Sequence, residues 1–335
     1  MFSGCATAII TPMLKNGEID EDGLRELVRF QEESGIRMLV PCGSTGESAT
    51  LNHDEHLKVI GIVIDEARSS KIIAGTGSNA TSEAIQLTKG AKDLGADAVL
   101  SVSPYYNRPT QAGIVKHYQA IDAAVDIPTI VYNIPSRTGS NITAATMLKL
   151  AEIPSIKGVK EASGDINQIA TILSKAPKGF TLLSGDDGMT VPAMAMGARG
   201  VISVTSNILP KTMLAMVQAM LDGDVSEGTR IHRELMPLWS ALFLETNPIP
   251  VKTAVRLMGK PAGPFRLPLC DAFNACWPSA AFPSVRRRAI PAVGWPIPVP
   301  TSSFPNSPGR CRRNCSTASF TSILPSSIAF STSSR

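Results

Sequence analysis

Eight short apolar segments recur along the first 206 residues, and each has about the length of one buried strand. They lie at 6–12, 37–43, 71–77, 98–104, 129–135, 155–163, 181–187 and 200–206. Stretches with apolar residues at helical spacing, such as LRELVRFQEESG and HLKVIGIVIDEARSS, separate successive segments. Strand and helix therefore alternate eight times, and this pattern predicts an α/β protein of the (β/α)8 TIM-barrel class.

A doubly wound open sheet would also alternate strands and helices. Its nucleotide-binding form needs a glycine fingerprint after the first strand, where this chain has only MLKNGEID. The later GTGSNA also departs from that fingerprint, so the barrel is the predicted fold. Three further helical patterns follow the eighth segment. We therefore expect a catalytic barrel over 1–207 and a small C-terminal helical domain over 208–270.

The composition changes abruptly after position 270. Residues 271–335 are rich in Pro, Ser and Arg, contain neither Lys nor Glu, and show no helical or strand periodicity. Such a segment cannot pack a core, so we expect an atypical, disordered tail. The abrupt change in residue usage favours a non-native or frame-shifted end over the alternative, a basic partner-binding tail.

Charge and hydropathy exclude several classes of protein. The net charge of +4 comes from the tail, whose seven Arg face one acid, so the first 270 residues are slightly negative and predict no nucleic-acid partner. The longest apolar runs are too short to cross a bilayer, and the N-terminus lacks the pattern of a signal peptide. We expect a cytoplasmic protein without a membrane partner. The six cysteines lack metal-ligand spacing and predict reduced thiols.

One lysine stands out at the predicted barrel mouth, where the loops after the strand ends carry the chemistry of such barrels. Lys160 falls at the top of the sixth predicted strand, and alternation from Val159 can turn its side chain into the barrel. Burial disfavours an ammonium and lowers its pKa, which frees an amine that can form a Schiff base with a ketone. The alternative is a structural lysine paired with Glu161 or Asp186.

Hydroxyl groups accompany this lysine at the predicted mouth. Schiff-base chemistry needs proton transfers, and Thr45, Tyr132 and one tyrosine of the pair Tyr105 and Tyr106 provide hydroxyls there. The small residues at 43–46 suit a substrate carboxylate, because successive backbone N–H groups bind anions. Taken singly, each feature is more typical of a turn, a helix cap or core packing.

Four motifs together resemble one enzyme family. They are GSTGES (43–48), SPYYNRP (103–109), YNIPSRTG (132–139) and GVKEASGD (158–165). In this order and spacing they resemble the dihydrodipicolinate synthase and N-acetylneuraminate lyase family of Schiff-base aldolases, over residues 1 to about 270. The resemblance implies a lyase that uses no cofactor and no metal, because the protonated imine itself is the electron sink. It also implies a homotetramer, a dimer of dimers.

The resemblance implies a role for each of several residues. Lys160 would condense with pyruvate, Tyr132 would shuttle protons, and Thr45 would relay them to Tyr106 of a neighbouring subunit. The pyruvate pocket would be formed by Ser44, Thr45, Gly185 and Ile202.

Arg137 bears on the second substrate. A guanidinium can bind a carboxylate through two hydrogen bonds and stays charged while it does so. Family members with this Arg condense pyruvate with L-aspartate 4-semialdehyde to 4-hydroxy-tetrahydrodipicolinate, which leads to diaminopimelate and lysine. The alternative on the same scaffold is an aldolase for 2-keto-3-deoxy sugar acids or N-acetylneuraminate. A third possibility is a folded but inactive binding protein, since the chain lacks the family's final helix.

A second set of residues matches the allosteric site for L-lysine in regulated family members, and so implies L-lysine as a feedback inhibitor. The set is Ser48, Ala49, His53, His56, Asn79, Glu83 and Tyr105. Without the resemblance, the two histidines would be interpreted as surface or capping residues at the start of a helix.

Overall fold

Eight parallel strands close into a barrel in the computed structural model, which describes residues 2–272. Each strand pairs with the next in the sequence, and the eighth pairs with the first. The strands are β1 (Gly4–Ala8), β2 (Met38–Val40), β3 (Lys71–Gly75), β4 (Ala98–Val102), β5 (Thr129–Asn133), β6 (Ile156–Glu161), β7 (Thr181–Ser184) and β8 (Gly200–Ser203). The predicted fold class and all eight predicted strands are confirmed.

Helices follow the strands in the order that the sequence predicts. They are α1 (Glu21–Glu33), α2 (His53–Glu66), α3 (Thr81–Asp93), α4 (Gln111–Ala124), α5 (Pro135–Thr138), α6 (Ala144–Leu150), α7 (Ile166–Lys175), α8 (Thr190–Ala195), α9 (Pro210–Leu221), α10 (Val225–Leu242) and α11 (Ile249–Leu257). Several begin at a capping side chain that satisfies free backbone N–H groups. For example, Asn52 and Glu55 form a capping box at the start of α2.

Apolar side chains fill two layers because residues alternate across each strand. On β5, Ile130 and Tyr132 belong to the cluster inside the barrel, whereas Val131 packs outward against the helices. Each such Val or Ile contributes about 1.5–3 kcal/mol when fully buried. The inner cluster leaves the carboxyl ends of the strands as the place where polar groups can collect.

The C-terminal helices both complete the barrel and extend it. Helix α9 packs against β1 and β8, so it belongs to the outer ring, and α10 packs on α9. Among residues 2–272, no helix combines the length and the apolar character that a bilayer crossing requires. The predicted tail at 271–335 lies outside the described residues except for its first two positions.

Candidate active site

Strained backbone marks two loops at the barrel mouth. In residues 2–272, the non-glycine residues with left-handed backbone are Cys42 (φ 54°), Glu47 (φ 55°), Tyr106 (φ 72°) and Arg108 (φ 45°). The first two follow β2 and the other two follow β4. Such conformations cost about 1–3 kcal/mol each and persist only where the surroundings enforce them. The same two loops carry Ser44, Thr45 and Tyr106 of the predicted site.

Lys160 lies inside the barrel on β6, in register with Tyr132 of β5 and Leu183 of β7. It is only 5% exposed, and its Nζ lies 4.2 Å from the centroid of the Tyr132 ring. Within the described part of the chain, no carboxylate oxygen lies within 4.0 Å of this Nζ. Burial lowers the pKa of Lys160 to about 8, although the charge of Asp187 opposes the shift. About a tenth of the amine is therefore uncharged at pH 7.

The two carboxylates considered as partners of Lys160 are engaged elsewhere. Glu161 accepts hydrogen bonds from the side-chain amides of Asn133 (3.1 Å) and Gln168 (3.2 Å). Asp186 caps the short turn that follows β7. The interpretation of Lys160 as half of a structural ion pair therefore has no support in the geometry.

Gly185 makes room for the lysine side chain. A Cβ atom at this position would lie 3.0 Å from both Cγ and Cε of Lys160 and 2.8 Å from Cβ of Ala162. Ile202 on β8 is fully buried and belongs to the inner cluster together with Tyr132. Of the two residues predicted to line the pocket, Gly185 thus lies beside the Lys160 side chain and Ile202 lies inside the barrel.

Tyr132 carries a hydroxyl group and is paired in register with Lys160 on the neighbouring strand. Burial raises its pKa to about 12, while the Arg137 charge and a hydrogen-bonding contact with Ser44 act in the opposite direction. The phenol therefore stays protonated near neutral pH and can donate a proton. The resemblance implies a proton relay through Thr45, but a hydrogen bond between Tyr132 and Thr45 is not among the hydrogen bonds of residues 2–272. Instead, Thr45 Oγ1 accepts a hydrogen bond from Asn247 Nδ2 at 3.0 Å.

Arg137 and Tyr106 lie at the outer rim of the mouth. Arg137 is in α5, and its Nη2 donates to the backbone carbonyl of Asn247 at 2.8 Å. Together with Tyr105 and Tyr106 it lines an open cleft of about 670 Å³. Tyr106 is 89% exposed, so within one chain its ring stays at the surface.

The residues of the predicted lysine site fall into two groups around the start of α2. His53 Nε2 lies 2.7 Å from Glu83 Oε1, and the Ser78 hydroxyl donates to the same carboxylate. These contacts, with the Ser78 hydrogen bond the strongest, lower the pKa of Glu83. His56 is buried, and its Nε2 lies 2.6 Å from the Gly75 carbonyl. It is thus not the surface residue that spacing alone suggested.

The remaining members of this set surround the same loops. Ser48 and Ala49 lie in a single 3-10 turn ahead of α2, and the backbone carbonyl of Asn79 accepts from Asn107. Tyr105 is partly exposed beside Tyr106. The structure therefore pairs His53 with Glu83, buries His56 beside the Gly75 carbonyl, and places the remaining members on the loops that follow β2, β3 and β4.

Two residues of the C-terminal segment contact the loops of the site and were not predicted from the sequence. Asn247 was not identified because it lies between α10 and α11, away from every strand end. Lys252 of α11 forms an ion pair with Glu47 in which both side chains are 0% exposed. In the sequence, this pair is indicated only by the occurrence of a lysine within the apolar pattern of α11. That pattern does not identify Glu47 as its partner.

A closed eightfold barrel with a desolvated, unpaired lysine at its mouth has the architecture of a Schiff-base-forming lyase. The model of the dihydrodipicolinate synthetase family matches residues 1–276. The 4-hydroxy-tetrahydrodipicolinate synthase of Syntrophus aciditrophicus is 53% identical over 270 residues, which are 80% of this chain and 92% of that protein. The chain therefore belongs to the dihydrodipicolinate synthetase family.

Two solved structures extend this similarity to the fold. The chloride-inhibited dihydrodipicolinate synthase of Acinetobacter baumannii, complexed with pyruvate, is 42% identical with a TM-score of 0.82; the match covers 85% of this chain and 98% of that one. The enzyme of Cyanidioschyzon merolae with lysine bound is 41% identical with a TM-score of 0.82, covering 85% and 97%.

Proposed function

We propose that this chain catalyses the condensation of pyruvate with L-aspartate 4-semialdehyde to 4-hydroxy-tetrahydrodipicolinate. The observation that carries the proposal is the buried Lys160 amine, which faces the Tyr132 ring at 4.2 Å and has its pKa lowered to about 8. A lysine in such a site is a nucleophile near neutral pH. The names of the relatives and the bound pyruvate in the Acinetobacter enzyme support the first substrate.

The reaction begins when Lys160 Nζ attacks the keto carbon of pyruvate. The resulting carbinolamine loses water and leaves a protonated imine, which draws electrons from the adjacent methyl group. Loss of a methyl proton gives an enamine, whose carbon attacks the aldehyde carbon of the second substrate. The amino group of the adduct then displaces Lys160 and closes the ring. Tyr132, with a pKa of about 12, supplies the proton that the departing water requires.

Each substrate carboxylate has a candidate binding group. Ser44 and Thr45 lie in the strained loop after β2 and would hold the carboxylate of pyruvate, with Gly185 and Ile202 lining the pocket. Arg137 faces the cleft beside Tyr106 and would bind the carboxylate of the semialdehyde. In a homotetramer, Tyr106 of one subunit would reach the site of its neighbour, which fits its 89% exposure in the single chain.

Borohydride reduction in the presence of pyruvate tests the lysine directly. We expect a pyruvate-derived mass increment on the peptide that contains Lys160 and none on the peptides that contain Lys157 or Lys252. The two unlabelled lysines are controls for an exposed and a buried amine within the same molecule. A trapped adduct on another lysine, or none at all, would contradict the proposed function.

Arg137 distinguishes the two candidate aldehyde substrates. We expect Arg137→Ala to raise the KM for L-aspartate 4-semialdehyde roughly 10–100-fold, because a charge-assisted pair is lost, with little change in the KM for pyruvate. Wild-type turnover of 2-keto-3-deoxy sugar acids or N-acetylneuraminate in preference to the semialdehyde would favour the sugar-acid aldolase instead.

L-lysine is the proposed feedback inhibitor, because the matching residues gather around the His53–Glu83 pair and a relative was crystallised with lysine bound. We expect Glu83→Gln to raise the inhibition constant for L-lysine roughly tenfold, since the carboxylate would pair with the ligand's ammonium. Activity in the absence of L-lysine provides the reference.

We also propose that the protein is a homotetramer located in the cytoplasm. Analytical ultracentrifugation tests the homotetramer.

A further inference from the structure

Strands β5 and β6 carry a second pair of polar side chains directly after the two that form the proposed site. Tyr132 and Lys160 are paired in register, and the next pair in register is Asn133 and Glu161. Because successive side chains of a strand point to opposite faces, this second pair lies on the outer side of the barrel wall. Asn133 is 0% exposed and Glu161 is 1% exposed. No step of the proposed reaction involves either residue.

Four side chains form a closed hydrogen-bond network around this pair. Asn133 Nδ2 donates to Glu161 Oε1 at 3.1 Å and to Asn141 Oδ1 at 2.8 Å. Asn141 Nδ2 donates to Gln168 Oε1 at 2.9 Å, and Gln168 Nε2 donates to Glu161 Oε2 at 3.2 Å. Within the described residues, every buried nitrogen and oxygen atom of these four side chains has a partner. A fully satisfied buried network holds its members in one arrangement.

The neighbours of Asn133 fix the direction of its amide group. On one side is the Glu161 carboxylate, which also accepts from the backbone N–H of Ser163 at 2.8 Å. Burial raises the pKa of Glu161, but its partners among residues 2–272 are donors and favour the ionised form, which can only accept. On the other side, the backbone N–H of Ile142 can only donate, and it donates to Asn133 Oδ1 at 3.0 Å. The amide therefore has one orientation that satisfies both neighbours.

The contact with Ile142 closes the loop that carries Arg137. Asn133 is the last residue of β5, so its side chain joins the two ends of the segment 134–141. Arg137 lies in α5, in the middle of this segment, and the far end of its side chain donates to the backbone carbonyl of Asn247 at 2.8 Å. The position of the guanidinium at the barrel mouth thus depends on where the closed loop is held.

We propose that Asn133 and Glu161 are positioning residues, which hold the loop of Arg137 so that its guanidinium can bind the carboxylate of the second substrate. Glu161 orients the Asn133 amide, and Asn133 closes the loop. This inference rests on the proposed function and deepens it. Because the network lies outside the barrel wall, its loss should weaken the binding of L-aspartate 4-semialdehyde and spare imine formation at Lys160.

The first experiment compares Asn133→Ala with the wild type in both halves of the reaction. We expect the KM for the semialdehyde to rise roughly 3–30-fold, because the loop is no longer closed, while the KM for pyruvate changes less than about twofold. Borohydride trapping of pyruvate on Lys160 should keep its wild-type rate. Slower trapping together with a rise in both KM values would overturn the proposal, since the side chain would then support the barrel wall and not the loop.

Thr129→Val is the matched control for this experiment. Thr129 is a buried residue at the opposite end of β5, and its hydroxyl donates to the backbone carbonyl of Ile127 at 3.2 Å. The change removes a buried hydrogen bond from the same strand without touching the Arg137 loop. We expect wild-type KM values for both substrates, and a raised semialdehyde KM in this variant would show that general weakening of β5 explains the effect of Asn133→Ala.

A double-mutant cycle tests whether Asn133 acts through Arg137. In an Arg137→Ala background the guanidinium is absent, so we expect Asn133→Ala to raise the semialdehyde KM by less than about twofold further. An equal fold-increase in both backgrounds would mean that Asn133 acts independently of Arg137, and that result would contradict the inference.

Glu161→Gln preserves the shape of the network if the alanine variant does not fold. Its amide places a donor nitrogen among groups that themselves donate, so at least one hydrogen bond must break or reverse. We expect the semialdehyde KM to rise roughly 2–10-fold with normal trapping of pyruvate. An unchanged semialdehyde KM with normal trapping would contradict the positioning role alone, whereas absence of trapping in the wild type would contradict the proposed function.

Discussion

Two buried lysines in this barrel have opposite surroundings. Lys160 is 5% exposed, its Nζ faces the aromatic ring of Tyr132, and no carboxylate of residues 2–272 comes within ion-pair distance. Lys252 is 1% exposed and its Nζ is paired with Glu47, donates to the Pro264 carbonyl and lies 5.1 Å from the Phe265 ring centroid. Burial lowers the pKa of both, but for Lys252 the contact with Glu47 acts against the shift.

The comparison shows that burial alone does not make a lysine reactive. A paired ammonium is held in its charged form and joins two segments, whereas an unpaired one gives up its proton near neutral pH. Lys252 thereby fixes the position of the loop after β2, and Lys160 supplies the nucleophile. Replacement of each lysine by methionine distinguishes these two roles experimentally.

Replacement of Lys160 by Met should have the largest effect. We expect kcat/KM to fall by about 10⁴-fold or more, because no imine can form without the amine. Steady-state assays with pyruvate and the semialdehyde measure this loss, and Lys157→Met, a change at a half-buried lysine on the same strand, is the control. If Lys160→Met retained more than about a tenth of the activity, the nucleophile would have to be another residue.

Replacement of Lys252 by Met should instead reduce stability. We expect the free energy of unfolding to fall by about 3–5 kcal/mol, because Glu47 would be left as an unpaired buried charge. Denaturant titration measures the change. The double variant Glu47→Gln with Lys252→Met should be more stable than the sum of the single losses predicts, by roughly 0.5–3 kcal/mol. Simple additivity would mean that the two side chains do not interact.

The pH dependence of borohydride trapping should separate the two amines further. The free amine is the reactive form, so the initial labelling rate at Lys160 should rise about tenfold per pH unit below pH 8 and level off above it. Lys252 should remain unlabelled throughout. A labelling rate that kept rising up to the ordinary lysine pKa near 10.5 would show that Lys160 is not desolvated in solution.

The smallest expected effect is a gain in stability for Lys160→Met. The folded-state pKa of about 8 lies below the ordinary 10.5, so the unfolded state binds more protons between these values and wild-type stability rises with pH across that window. At pH 7 the wild type carries the full cost of the buried charge, and we expect Met to stabilise by roughly 1–2 kcal/mol. Equal stability of both proteins at pH 7 would contradict this expectation.

Local patterns predicted the strands and the position of Lys160 because both depend on periodicity. Each of the eight apolar segments overlaps one strand, and the alternation from Val159 places Lys160 inside the barrel. The contact of Thr45 could not be predicted in the same way. Its partner, Asn247, is 202 residues away in a loop whose sequence has no strand or helix pattern that points toward the mouth.

By itself, the sequence determined the alternation of strands and helices, the barrel that follows from it, and the inward direction of Lys160. These depend on repeats of two and 3.6 residues, which neighbouring residues along the chain specify. Only the tertiary structure decided which buried lysine has a counter-ion, because Glu47 and Lys252 are 205 positions apart. Coulomb energy and desolvation depend on distance in space, and the closed barrel with its C-terminal helices sets that distance.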